Sequence, residues 1–208
     1  MDRKFDSIIF DMDGTLWDAV DSYCEIWNAT LTATGINRPP VVREDLIKLM
    51  GMTLDRIVSI LVPEAVGNRA FLDVLQHNEC TMMPRLGGRL YPGVKNLMPI
   101  LARHYKLYMV SNCFSDGLPT FLDYTGLKPY ISDHLSFGNN GLDKAANIGI
   151  MVKRHGLKAP IYVGDTEGDC ISSHKAGVAF AWASYGFGTV DNPDFVLKNF
   201  DDLKTLLL

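Results

Sequence analysis

The chain has 208 residues, 47% of them hydrophobic and 21% charged, which suits one globular domain or a core domain carrying a smaller insertion. Its formal net charge is −4 and its basic residues are scattered, so it offers no basic field to recruit nucleic acid or an anionic membrane. No apolar run approaches the ~18 residues of a membrane span, and Cys24, Cys80, Cys113 and Cys170 lie too far apart for a zinc site or a disulfide framework.

The opening MDRKFDSIIFDMDG has too short an apolar run for a signal peptide and meets acids at once, which makes the cytoplasm the expected location. Its apolar core predicts a first strand over 7–11. From about Trp17 to Thr81 no strand is expected, only helical patterns punctuated by GINRPP, Gly51 and VPEAVGN. Gly14–Thr15 on one side and PRLGGRLYPG on the other supply the Gly and Pro of two hinges. Beyond them, short apolar runs predict strands over 106–111, 133–137, 161–164, 179–184 and 194–196. Each run is nearly continuous, as in strands covered on both faces. Amphipathic stretches predict helices over 93–104, 115–125, 143–155, 166–176 and 201–207, with Gly156 and Gly177 placed to end two of them. The expected fold is α/β: a Rossmann-like parallel sheet, formed by residues 1–16 and 85–208, with an inserted helical cap domain over 17–84.

Ligands of a parallel α/β sheet bind beyond the carboxyl ends of its strands, and polar residues collect there. The first strand ends in Asp11-Met12-Asp13-Gly14-Thr15, the second in Ser111-Asn112, and the fourth in Gly164-Asp165-Thr166-Glu167-Gly168-Asp169, while Lys144 stands near the start of the helix after the third. Taken singly, an Asp before Gly is a turn former, Ser-Asn a helix cap and a helix lysine a solvated charge. The set arriving in order at successive strand ends points elsewhere. Carboxylates sharing a small volume need protons or a cation, and a hard, oxygen-liganded Mg²⁺ fits them. With Lys144 and the amides of the Gly-containing turn, such a site stabilises an anionic substrate, which implies phosphoryl chemistry without saying which atom attacks.

These residues resemble the haloacid dehalogenase-like hydrolase superfamily. Its Asp-x-Asp-x-Thr matches Asp11 to Thr15, its strand-ending Ser or Thr matches Ser111, its basic residue matches Lys144, and its Gly-Asp-x-x-x-Asp matches Gly164 to Asp169. LYPGV, YGFG and the helical insertion are further similar to the phosphoglycolate phosphatase-like subgroup. The resemblance implies that Asp11 is a nucleophile forming an aspartyl-phosphate and that Asp13 is the general acid and later base. It implies that Ser111 and the amide of Asn112 hold the phosphoryl oxygens, with Gly14, Thr15 and Lys144 completing the binding set. The implied metal set is Asp11, Asp13 through its carbonyl, Asp165 and Asp169, the last orienting Lys144 or metal-bound water. A Mg²⁺-dependent phosphatase acting on a small phosphorylated metabolite follows, with no protein partner implied.

Asp13 also discriminates among chemistries, because the family's dehalogenases and phosphonatases lack that acid. Mutases of the β-phosphoglucomutase type keep both acids but carry a cap histidine and arginine, where this chain has Tyr23 and Leu54. The alternatives are such a phosphomutase or phosphotransferase, or a non-catalytic metabolite-binding member of the fold. Arg43, Lys48, Arg56 and Arg69 are candidates for the mouth of the site, with solvated helix charge as their simpler role. Trp17, Tyr23 and Trp27 have helical spacing that suits core packing.

Overall fold

The computed structural model describes residues 4–208. In chain order the elements begin with β1 (Ser7–Phe10), β2 (Trp17–Asp18), α1 (Val20–Thr34), α2 (Arg43–Leu46), α3 (Leu54–Leu61) and α4 (Arg69–Leu86). There follow β3 (Arg89–Leu90), α5 (Val94–His104), β4 (Lys106–Ser111), α6 (Gly117–Thr125), β5 (Ile131–Ser136) and α7 (Phe137–Asn140). The last elements are α8 (Lys144–His155), β6 (Pro160–Gly164), α9 (Glu167–Lys175), β7 (Ala179–Ala183), β8 (Phe195–Leu197) and α10 (Asp202–Leu207).

The six strands expected from sequence form one sheet in the order β5-β4-β1-β6-β7-β8, with every neighbouring pair parallel. This is the doubly wound, Rossmann-like arrangement. Its nearly continuous apolar strands feed two cores by strict alternation. Ile8, Phe10, Leu107, Met109, Ile161 and Val163 face a core shared with α5, α6, α10 and the helices that follow β1. Ile9, Tyr108, Val110, Tyr162 and Phe180 face the opposite side, against Ile148 and Met151 of α8 and Cys170 of α9.

The segment between β1 and α5 carries four helices, of which α1 and α4 pack together most extensively. Contrary to the sequence expectation, it opens with a strand. β2 pairs antiparallel with β3, Trp17 opposite Leu90 and Asp18 opposite Arg89. Two residues are too few to show a period, and tertiary closure makes the ribbon. The Gly14 amide donates to the Trp17 carbonyl (2.9 Å) and the Tyr91 amide to the Leu16 carbonyl (3.0 Å). Gly88 lets the two chains meet, since a Cβ there would stand 2.7 Å from the Trp17 ring and 2.9 Å from the Asp18 carbonyl oxygen. The two connections of the insertion are thereby tied side by side. Among the described residues no helix is long and apolar enough to cross a membrane.

Candidate active site

The chain places β1 and β6 side by side at the point where it switches from building one half of the sheet to building the other, and a crevice opens there beyond their carboxyl ends. Asp11 follows β1, Ser111 ends β4 and Asp165 follows β6. Lys144 arrives as the first residue of α8, whose N-terminus is capped by Asp143 accepting from the Ala146 amide at 2.7 Å. All four side chains are buried.

Lys144 Nζ donates to Asp11 Oδ1 at 3.0 Å and to Asp169 Oδ1 at 2.5 Å. Burial works against the ammonium, but Asp11 and Asp169 outweigh it and hold Lys144 well above the usual lysine value. The other oxygen of Asp169 accepts from the amides of Asp165 (3.2 Å) and Thr166 (3.0 Å) and from the Thr166 hydroxyl (2.7 Å). Thr166 in turn caps α9 by accepting from the Asp169 amide. Asp169 is thus a fixed post that aims Lys144 at Asp11.

Asp165 is cradled rather than paired with a cation. Its Oδ2 accepts from the Phe187 amide at 2.8 Å, and Thr15 Oγ1 lies 3.4 Å from its Oδ1. Two glycines make the room: a Cβ on Gly14 would stand 2.1 Å from Asp165 Oδ2, and one on Gly186 would stand 2.4 Å from Asp165 Cβ. Burial, then the like charges of Asp169 and Asp11, hold the Asp165 carboxyl well above its ordinary range. Burial also raises Asp11, with Lys144 opposing and Asp169 adding. Asp11, Asp165 and Asp169 each bring an oxygen to within 4.8 Å of the others. A buried triad of mutually repelling carboxylates answered by one lysine fits a hard divalent cation.

Asp13 faces a different set of partners. Trp17 Nε1 donates to its Oδ1 at 2.9 Å, and Tyr23 OH to its Oδ2 at 3.4 Å. Burial and the nearby Asp11 carboxylate push Asp13 up to about 7 despite these donors. A carboxyl raised that far is able to give up or take a proton near neutral pH. Asp11, Asp13 and Ser111 open together onto a small cavity of about 80 Å³, walled otherwise by α1, by α3, by the 50–52 turn and by Glu79 of α4. Asn112, also on this wall, donates its amide to the Gly51 carbonyl at 2.8 Å, while its Oδ1 is buried without a partner.

Of the residues expected at the site, Asp11, Asp13, Ser111 and Asn112 line the cavity, while Gly14 and Thr15 lie behind it against Asp165. The Asp13 carboxylate stands outside the acidic triad. Arg43, Lys48, Arg56 and Arg69 are absent from the cavity wall. Arg43 pairs with Asp18 and Asp21, Arg69 pairs with Asp73 in solvent, and Lys48 and Arg56 are exposed. Trp17 and Trp27 are buried as core residues, yet Trp17 is also the main donor to Asp13, and Tyr23 and Trp27 face the cavity. A buried indole N–H requires an acceptor, and Asp13 lies only four residues away, a signal the sequence does contain. The YGFG stretch holds the site from behind: Tyr185 OH donates to the Thr15 carbonyl at 2.9 Å and Phe187 N to Asp165. Glu79, on a helix far along the chain, carries no such signal.

Residues 8–183 match the haloacid dehalogenase-like hydrolase family. A curated relative, the phosphoglycolate phosphatase of Vibrio parahaemolyticus, is 26% identical over 221 residues that cover 94% of this chain and 93% of the relative. Among solved structures, a predicted phosphoglycolate phosphatase from Haemophilus somnus superposes with a TM-score of 0.84 at 23% identity, covering 99% of both chains. A HAD-superfamily hydrolase of subfamily IA from Geobacter sulfurreducens gives 0.73 at 16% identity, covering 100% of this chain and 98% of its own. At those identities the structural likeness speaks for the fold.

Proposed function

Because the chain belongs to the haloacid dehalogenase-like hydrolase family and is an enzyme of that family, we propose that it hydrolyses a small-molecule phosphate monoester through an aspartyl-phosphate, with Mg²⁺ as cofactor. The observation that carries this reading is the division of labour between two neighbouring acids: Asp11 is held by Lys144, and Asp13 is held apart by Trp17 and Tyr23.

In the first step the Asp11 carboxylate attacks phosphorus and the P–O bond to the alcohol breaks, with Asp13 giving its proton to the departing oxygen. In the second, Asp13, now ionised, takes a proton from water as that water attacks the acyl phosphate, which releases phosphate and restores Asp11. Lys144 offsets charge on Asp11 and on the phosphoryl group, and the Ser111 hydroxyl and the Asn112 backbone N–H hold phosphoryl oxygens. Mg²⁺ bound by Asp11, Asp165 and the Asp13 carbonyl would add a Lewis-acid charge to the phosphoryl group.

Helices α1 to α4 serve as a cap that excludes water and limits substrate size, latched by the Asn112–Gly51 bond. A mutase would need a second phosphate-holding group. The two positions considered for it, Tyr23 and Leu54, both face the cavity and neither is cationic. The test is release of nitrophenolate from nitrophenyl phosphate with Mg²⁺, in wild type and Asp11→Asn. Activity confined to the wild type, with one phosphoryl group trapped on acid-quenched protein, is expected. Equal rates in the two proteins would overturn the mechanism.

A further inference from the structure

The cavity in front of Asp11 and Asp13 holds an asymmetry that bears on the substrate's alcohol portion. The carboxyl side chains on its wall are Asp11, Asp13 and Glu79, and among the described residues lining it there is no Lys, Arg or His to pair with them. The rest of the wall is largely apolar: Trp27, Leu46, Met50, Met52, Leu54 and Ile57. Lys144 lies behind the acids, and Arg69 lines an adjoining cavity that shares Leu54 and Asn112 with this one, where it is paired with Asp73. Lys144 is committed to Asp11 and Asp169, and the acidic triad is where a divalent cation would sit. Glu79 itself is partly buried and has no salt-bridge partner among the described residues.

A carboxylate entering this cavity would lose water to an apolar wall and meet no positive charge on that wall in return, which disfavours its binding. A hydroxyl or ammonium would meet the reverse situation, an acid with room for a donor. Resting on phosphatase activity at this site, we propose that Glu79 is a specificity residue: the substrate is a small phosphate ester whose alcohol portion is apolar and carries a hydrogen-bond donor, an ammonium above a hydroxyl, set against Glu79, and the cavity rejects a carboxylate there. The chain would then differ in substrate from relatives that bear the name phosphoglycolate phosphatase.

A matched set of two-carbon esters isolates the end group. We would measure kcat/KM for phosphoglycolate, hydroxyethyl phosphate and aminoethyl phosphate with Mg²⁺, in wild type, Glu79→Gln and Glu79→Lys, with nitrophenyl phosphate as a common reference. The expected order is aminoethyl, then hydroxyethyl, then phosphoglycolate, with about tenfold or more between the first and last. That span corresponds to roughly 1.4 kcal/mol. Glu79→Gln should remove the preference for the amine over the alcohol, and Glu79→Lys should move the ranking toward phosphoglycolate. Phosphoglycolate turned over as well as the hydroxyethyl ester by the wild type, or a ranking unmoved by Glu79→Gln, overturns the assignment while nitrophenyl phosphate turnover leaves the phosphatase standing. No turnover of any ester, nitrophenyl phosphate included, removes both.

Discussion

Trp17 donates its indole N–H to Asp13 across 2.9 Å, so the first residue of the β2 ribbon positions the second acid of the site. The same ring packs edge-on against Phe121 of α6 at 4.9 Å and is 1% exposed, which leaves the donor no freedom to wander. If Asp13 protonates the leaving alcohol, its worth depends on how poor that leaving group is. Asp13→Asn should slow an alkyl ester by about 10²–10⁴, yet with nitrophenyl phosphate it should still give a burst of one nitrophenolate per enzyme before a slow steady state. Trp17→Phe keeps an aromatic ring in the packing, deletes the donor and should cost about tenfold in kcat, in line with the loss of one hydrogen bond. Stopped-flow absorbance reads both, and a Asp13→Asn protein with no burst and an equal loss on both esters would remove Asp13 from the proton transfer.

Asp165 has backbone and hydroxyl donors but no cation of its own, and it sits in a triad with Asp11 and Asp169. Two consequences of opposite sign follow. Without metal the three acids repel, so Asp165→Asn should melt higher than wild type in chelator. With Mg²⁺ at a hundredfold its dissociation constant, the wild type should gain about 2.7 kcal/mol, while Asp165→Asn gains little and is inactive. Thermal melts with and without Mg²⁺ check this. A wild type whose melting point ignores Mg²⁺ while Asp165→Asn loses stability in chelator would count against a cation at the triad.

Gly186 offers a steric test that leaves every ionisable group in place. A Cβ there would fall 2.3 Å from the Gly14 carbonyl oxygen and 2.4 Å from Asp165 Cβ, both tightly held. Its backbone does not occupy the left-handed region, so the change to Ala carries no strain of its own. Gly186→Ala should therefore act through displacement of Asp165, with kcat down about 10²-fold, as a misplacement on the order of 1 Å can cause. The Mg²⁺ response in the melt should weaken in step. Full activity in Gly186→Ala would mean that this loop yields easily and does not fix Asp165.

The parallel sheet was legible because its central strands are buried on both faces and read as continuous apolar runs, from IIF at 8–10 to IYVG at 161–164. Asp11, Ser111, Lys144 and Asp165 could be grouped because strand ends in such a sheet share one crevice. The β2–β3 ribbon could not be read, since its two-residue strands depend on Gly88 permitting contact across a long insertion. The cavity wall was hidden for a related reason. Glu79 reaches the site only through the packing of α4 on α1, and helical periodicity tells which face of α4 is inward without telling what it faces. Candidate cations chosen by charge alone, such as Arg43, turned out to serve local ion pairs.

Glu79 also makes a prediction about stability that needs no substrate. Burial, followed by the nearby Asp13 and Asp116 carboxylates, pushes it up to about 8 from its ordinary 4.5. Between those values the native state binds more protons than the unfolded chain, so this contribution to stability is full below about pH 4.5 and is lost as pH rises through about 8. Glu79→Gln keeps the shape and removes the titration. The variant should match wild type near pH 5 and then pull ahead as pH rises, melting higher by about 3–6 °C at the alkaline end, where roughly 1 kcal/mol moves a chain of this size by about 2–4 °C. Scanning fluorimetry of both proteins across that range checks the sign. A difference that stays flat with pH, or a wild type that is the more stable protein in alkali, would show that Glu79 has found a cationic partner, and the cavity would then be free to accept a carboxylate.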